Sequence, residues 1–399
     1  MDRSVFPAKE NHMSLSRRAL FGLGSGAAAP VAQLVSARGR EALVAELGPL
    51  AGESGIIPPP QDNEIRLSSN ENPLGPPAPA MEAIRDAFKQ SGRYPTNSQP
   101  SSADLVETLA KSQGCDADNI VLGAGSGELL KVAGWAYTGP DAHLVTASPT
   151  YGQPTGVARY QKAEVKAVPV RPDGHLDLER MAAASQGAGL VFFCNPNNPT
   201  GLVHKASDIK TFADMVARNS PNTMIQFDEA YHEYVTHPEY ESAAAMAVET
   251  PNVFVTRTFS KCYGMAGMRV GYAIAHPDTA ANLRRYQLGN NNSTPTVAGA
   301  YAALQMDGFV EKERARNSAA KKHTVDVFKK MGFEVFDSQT NFIFARINRP
   351  ASELRAGCRK QGISVGRDFR PMEKTHARIS IGTLDEMKRA CKVFEEVLS

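Results

Sequence analysis

Lys261 lies in the run Thr258-Phe259-Ser260-Lys261-Cys262-Tyr263-Gly264, and Arg269 follows it eight positions later. A lysine just past an apolar run, among small residues, is usually structural when taken alone. With an arginine at this spacing, the segment suits a site that needs an amine and a phosphate clamp together. Burial disfavours the ammonium form, so such a lysine can act as nucleophile and proton carrier near neutral pH. Arg269 offers a rigid fork of donors for phosphate, and Ser260 a hydroxyl beside the amine. Gly123-Ala124-Gly125-Ser126-Gly127-Glu128 adds a second anion-binding element. It follows an apolar run and opens a helical pattern, so the N–H groups of Gly125, Ser126 and Gly127 can face an anion with the helix dipole behind them. A dinucleotide site would place an acidic residue at a strand end about twenty positions further on. The chain has Leu144-Val145-Thr146-Ala147-Ser148 there.

The elements that must position these groups follow from the hydrophobic pattern. Seven short apolar runs occupy residues 119–122, 143–147, 165–170, 190–194, 224–227, 252–256 and 270–275. Most are apolar on both faces, as in strands covered on both sides, and helical patterns such as 128–136 and 206–218 lie between them. This predicts an α/β domain with a mainly parallel sheet. Beyond residue 293 the pattern turns helix-rich, with a long helical segment to 331, strands near 333–336 and 342–347, and a closing helix from 384. The division expected is an arm and part of a small domain over 38–92, a large domain over 93–292 and a small C-terminal domain over 293–399.

Composition excludes little. The chain has 399 residues, 42% hydrophobic and 22% charged, with a formal net charge of +2, which gives no broad basic field for nucleic acid. The mixed charges of 311–323 read as a solvated helix face. Five scattered cysteines imply neither a disulfide framework nor a metal pair, and His232 and His237 do not share a helix face. Residues 1–37 differ from the rest. A polar start, Arg17-Arg18, a weakly apolar run to Val35 and the small residues Ser36-Ala37 resemble a twin-arginine export signal. Gly22, Gly24, Gly26 and Pro30 break that run too often for a spanning helix. The expectation is a folded protein exported to the periplasm, with a cytoplasmic protein carrying an N-terminal extension as the alternative.

Several motifs occur together and in order. Besides the lysine segment, they are Asn195-Pro196-Asn197-Asn198-Pro199-Thr200-Gly201, Asp228-Glu229-Ala230-Tyr231, Asn70-Glu71-Asn72-Pro73-Leu74-Gly75-Pro76 and Arg93-Tyr94-Pro95. Over residues 65–395 the chain resembles the fold-type I pyridoxal 5′-phosphate (PLP) aminotransferases of classes I and II, and in particular their histidinol-phosphate aminotransferase-like subgroup. The resemblance implies a large domain with a seven-stranded, mainly parallel sheet and a smaller α/β domain, with Lys261 carrying the cofactor as a Schiff base. It assigns Asp228 to the pyridine nitrogen, Asn198 and Tyr231 to the phenolic oxygen, and Tyr151 to stacking on the ring. Gly125, Ser126, Gly127, Ser260 and Arg269 fall to the phosphate, joined by Tyr94 from the second subunit of a homodimer. Arg378 matches the arginine that grips the substrate α-carboxylate, and Arg367 sits where phosphate-binding members carry another. Two cations imply an anionic or dicarboxylic substrate in at least one half-reaction.

Each residue also has a plainer use. Asp228 can cap a helix, Asn198 can serve the turn before Pro199, Tyr151 can fill core, and Cys262 reads as a small filler. Residues 369–375, with Arg370 and Lys374, differ from the family pattern and leave the amino donor open. The reaction expected is ping-pong transamination between an amino acid, or an amino phosphate such as histidinol phosphate, and a 2-oxo acid. The alternatives are another PLP reaction on the same scaffold, such as decarboxylation of a phosphorylated amino acid, and a non-catalytic PLP-sensing module.

Overall fold

A computed structural model describes residues 64–399, so the export-type segment 1–37 and most of the arm lie outside the described residues. Twelve strands follow in chain order. They are β1 (Ile65–Leu67), β2 (Ile120–Gly123), β3 (His143–Ser148), β4 (Val165–Pro169), β5 (Ala188–Cys194) and β6 (Met224–Asp228). Then come β7 (Val253–Thr258), β8 (Gly271–Ala275), β9 (Glu334–Val335), β10 (Phe342–Arg346), β11 (Ile363–Val365) and β12 (His376–Ser380). Seven of them form one sheet in the order β2-β8-β7-β6-β5-β3-β4, with β8 antiparallel to both of its neighbours and the other pairs parallel.

This sheet is covered on both faces, as its two-sided apolar strands require. Side chains alternate across it. Val191, Phe193, Ile225, Phe227 and Val255 face one core, while Leu190, Phe192, Met224 and Phe254 face the other. Removing any of these phenylalanines from water contributes about 1.5–3 kcal/mol. The predicted runs agree with the observed strands except at ends: β5 starts two residues earlier and β7 runs two residues further than the pattern suggested.

A second core surrounds the three-stranded antiparallel sheet β12-β10-β9 and the parallel pair β1-β11. Helices Phe309–Lys330, Ala351–Lys360 and Leu384–Leu398 pack on it. The last begins where the sequence expected, because Thr383 and Glu386 close a reciprocal capping box.

One expectation needs correction. The long helical segment after residue 293 is two helices, Thr294–Leu304 and Phe309–Lys330, separated at Gly308, whose φ of 70° is left-handed. The first of these does not join the second core. Val297, Ala300 and Ala303 pack into the large-sheet core against helix Ala78–Ala87, where a Cβ on Gly299 would collide with Ile84. The chain thus contributes β1 to the second core and helix Ala78–Ala87 to the first, and it returns to the second core only after Leu304.

Candidate active site

The C-terminal ends of the parallel strands share one edge of the large sheet, where ligands of open α/β folds bind. Asp228 is the last residue of β6 and is 3% exposed. Its Oδ1 accepts a hydrogen bond from Thr256 Oγ1 at 3.0 Å, and Cys194 Sγ lies 3.9 Å from Oδ2. It has no ion-pair partner among the described residues. Burial pushes its pKa up to about 7.

Lys261 follows β7, and its Nζ donates to Ser69 O at 3.1 Å and lies 5.8 Å from the Tyr231 ring centroid. Burial, with the Arg378 guanidinium adding repulsion, holds its pKa down to about 8. Tyr231 OH accepts from Asn70 Nδ2 at 2.9 Å and Asn198 Nδ2 at 3.3 Å, and burial raises its pKa. Arg378, on β12, donates from Nη1 to Asn198 Oδ1 at 2.9 Å and from Nη2 to Ser68 O at 2.6 Å. Its buried Nε has no hydrogen-bond partner among the described residues. Burial lowers its pKa to about 10.

The phosphate-type elements converge as well. Gly125 caps helix Ser126–Tyr137 with a left-handed φ of 75°. Arg269 Nη2 lies 3.4 Å from Ala124 O, and its Nη1 reaches Ser260 Oγ at 3.4 Å and Ala266 O at 2.8 Å. Arg269 itself holds a φ of 56°, a conformation costly for a side chain of its size. Glu128 Oε2 fixes the loop by accepting from Ala124 N and Asn291 Nδ2, each at 2.6 Å. Tyr151 donates to Gln153 Oε1 at 3.1 Å, and Gln153 Nε2 donates to Gly127 O at 2.8 Å, which ties the tyrosine to the same loop.

The remaining predicted residues divide. Arg367 stacks its guanidinium 5.0 Å from the Phe369 ring centroid, and Arg378 lies 4.8 Å from the same centroid, so Phe369 bridges the two cations. Tyr94 is 68% exposed and makes no side-chain hydrogen bond among the described residues. Sequence reasoning passed over Asn70, Ser380, Thr256 and Phe369 as site residues. Asn70 carried one usable signal, since asparagine tolerates the left-handed φ of 55° that it adopts. Glu229 belongs to the scaffold. Its Oε2 accepts from Arg257 Nε and Nη2 at 3.1 and 3.0 Å and from Ser242 Oγ at 2.7 Å.

The donor set fits PLP. Asp228 is a buried carboxylate whose missing partner a protonated ring nitrogen would supply. The Arg269 guanidinium, the Ser260 hydroxyl and the helix N-terminus match a phosphate. A Cβ on Gly125 would strike the Arg269 guanidinium, so the glycine keeps that cradle open. Gly125→Ala should therefore push the Arg269 guanidinium off the phosphate position and weaken PLP binding by about 1.5–3 kcal/mol, the worth of a hydrogen bond to a charged group. Equilibrium dialysis of the cofactor against the apoprotein checks this, and unchanged affinity would count against the cradle.

The family model for class I and II aminotransferases matches residues 62–394. Histidinol-phosphate aminotransferase of Bacillus velezensis is 33% identical over 335 residues, covering 84% of this chain and 91% of that protein. Histidinol-phosphate aminotransferase of Moorella thermoacetica is 34% identical over 337 residues, covering 84% and 86%. The crystal structure of histidinol-phosphate aminotransferase from Sinorhizobium meliloti in complex with pyridoxal-5′-phosphate aligns with a TM-score of 0.78 at 27% identity, covering 90% of this chain and 94% of that one.

Proposed function

Given that the chain belongs to the class I and II aminotransferase family and is a PLP-dependent aminotransferase, we propose that Lys261, Asp228 and Arg378 divide its chemistry among them, with an anionic amino acid or amino phosphate as donor. Bound PLP supplies an electron sink for the α-carbon of the substrate. Lys261 Nζ, uncharged above about pH 8, binds the cofactor and moves the α-proton. Asp228 holds the proton on the ring nitrogen. Asn198 and Tyr231 donate to the phenolic oxygen, and Tyr151 covers the ring. Arg269, Ser260 and the N–H groups of Gly125, Ser126 and Gly127 bind the phosphate. Arg378 takes the substrate α-carboxylate in place of the Ser68 carbonyl, with its unpartnered Nε available for a second bond.

The observation that carries the reading is the unpaired, buried Asp228 carboxylate on the sheet edge from which Lys261 projects. Its test is a half-reaction. Holoenzyme mixed with glutamate alone should release one equivalent of 2-oxo acid per subunit before any acceptor is added, and carbon dioxide release from a phosphorylated amino acid would instead establish a decarboxylase. Arg367 beside Arg378, together with the names of the relatives, supports histidinol phosphate as the first donor to try. Arg378→Ala should raise the KM for amino acids by roughly 10²-fold, the loss of a buried charge-assisted pair, while PLP affinity stays near wild type. Equal losses in both would make the arginine structural.

Two wider parts of the reading rest on surface and leader. Leu74, Met81, Phe88 and Tyr94 are exposed on one stretch of chain, which supports a homodimer with Tyr94 reaching its partner's phosphate site. The Arg17-Arg18 leader supports export of the folded enzyme. Fractionation of the host with N-terminal sequencing tests that, and full-length protein confined to the cytoplasm would reject it. No helix among the described residues is long and apolar enough to cross a membrane.

A further inference from the structure

Resting on the reading above, in which Tyr231 donates to the phenolic oxygen of the cofactor, we propose that Asn70, locked by Ser380, is the positioning residue that compels the Tyr231 hydroxyl to donate. The Tyr231 oxygen meets two side-chain amides, from Asn70 at 2.9 Å and Asn198 at 3.3 Å. The two ends of an amide are alike in shape, so neighbouring groups must decide which end faces the tyrosine.

For Asn198 the far end meets Arg378 Nη1 at 2.9 Å. A guanidinium only donates, so that end is Oδ1, and the NH₂ faces Tyr231. For Asn70 the far end meets Ser380 Oγ at 2.7 Å. That hydroxyl accepts the backbone N–H of Asn70 at 2.8 Å and donates its own proton to Oδ1, which again turns the NH₂ towards Tyr231. Two N–H donors fill both lone pairs of the phenolic oxygen. The Tyr231 proton therefore points elsewhere, and among the described residues no group accepts it.

Asn70 is held firmly for this task. It is 1% exposed, its left-handed φ of 55° is one asparagine tolerates, and its carbonyl accepts Asn341 Nδ2 at 2.9 Å. Ser380 lies two residues beyond Arg378 on β12, so both side chains project from the same face of that strand and fix both amides. The donated proton makes the cofactor's phenolic oxygen less basic. The linkage to Lys261 then loses its own proton at a lower pH than it otherwise would.

The readout is the pH at which the visible absorbance of the holoenzyme changes, with thermal stability measured alongside. Tyr231→Phe sets the reference and should move the midpoint upward by about one pH unit, the worth of a hydrogen bond to a charged group. Asn70→Gly keeps the left-handed backbone and adds no charge. It should move the midpoint in the same direction by a smaller amount, and should add nothing in the Tyr231→Phe background. Ser380→Ala, which frees the Asn70 amide to turn over, should do the same if Asn70→Gly folds poorly. A midpoint that moves in Tyr231→Phe but in neither other variant overturns the inference and leaves the Tyr231 role standing, even if melting temperatures fall. A midpoint unmoved in Tyr231→Phe overturns both.

Discussion

Lys261→Ala should lose turnover by a factor on the order of 10⁴ or more, because one side chain supplies both the nucleophile and the proton carrier. The variant should also lose the visible absorbance of lysine-bound cofactor and release PLP on dialysis. No other lysine among the described residues is shown touching Asp228, Tyr231 or Arg378. A cofactor that remains reducible onto the variant chain by borohydride would sink the assignment. The wild-type apoprotein provides a companion test. Only the neutral amine attacks, so reloading with PLP should quicken as pH rises through about 8.

Asp228→Asn should retain PLP yet slow turnover by roughly 10²- to 10³-fold, because the ring nitrogen then lacks the carboxylate that would keep it protonated. The apoprotein should respond in the opposite sense. The carboxyl has a pKa raised from 3.8 to about 7 in the folded chain, so its contribution to stability is present below about pH 4 and lost as pH rises through about 7. Asparagine does not titrate. The variant apoprotein should therefore melt higher than wild-type apoprotein at pH 8, with the gap closing towards pH 4 and reversing or vanishing on addition of PLP to both. Melting curves at these pH values check the sign, and a wild-type apoprotein that gains on the variant as pH rises would contradict it.

Much of the large sheet was legible because its strands are covered on both faces. Runs such as Val191-Phe192-Phe193 can be little else in a chain of ordinary composition, and Asp228 stood out as the first charge after one. The lysine segment was legible because its chemistry is local, with Ser260, Lys261 and Arg269 in one short stretch. The second core was harder to read. β1 and β11 have three residues each, too few to show a period, and they pair over a long sequence separation, Ile65 with Ile363. Helix Thr294–Leu304 is apolar almost all round, so its sequence does not say which core it serves, and only its packing on helix Ala78–Ala87 decides. Asn70 escaped for a related reason. Its partners Tyr231, Asn341 and Ser380 lie far off in sequence, and no local pattern announces them.

That same long reach, from Ile65 to Ile363 and from Asn70 to Ser380, fixes when the protein can become an enzyme during its synthesis. The large sheet has all seven strands once residue 275 has been made, so Asp228 and Lys261 can settle while translation continues. β12 begins only at His376, well after β8 ends at Ala275, so Arg378 and Ser380 emerge after every strand of the large sheet. Until then the Ser68–Asn70 turn lacks its Arg378 and Ser380 partners. Contacts of such high sequence separation form late, and a nascent chain on the ribosome therefore has Lys261 in place before Arg378 and Ser380.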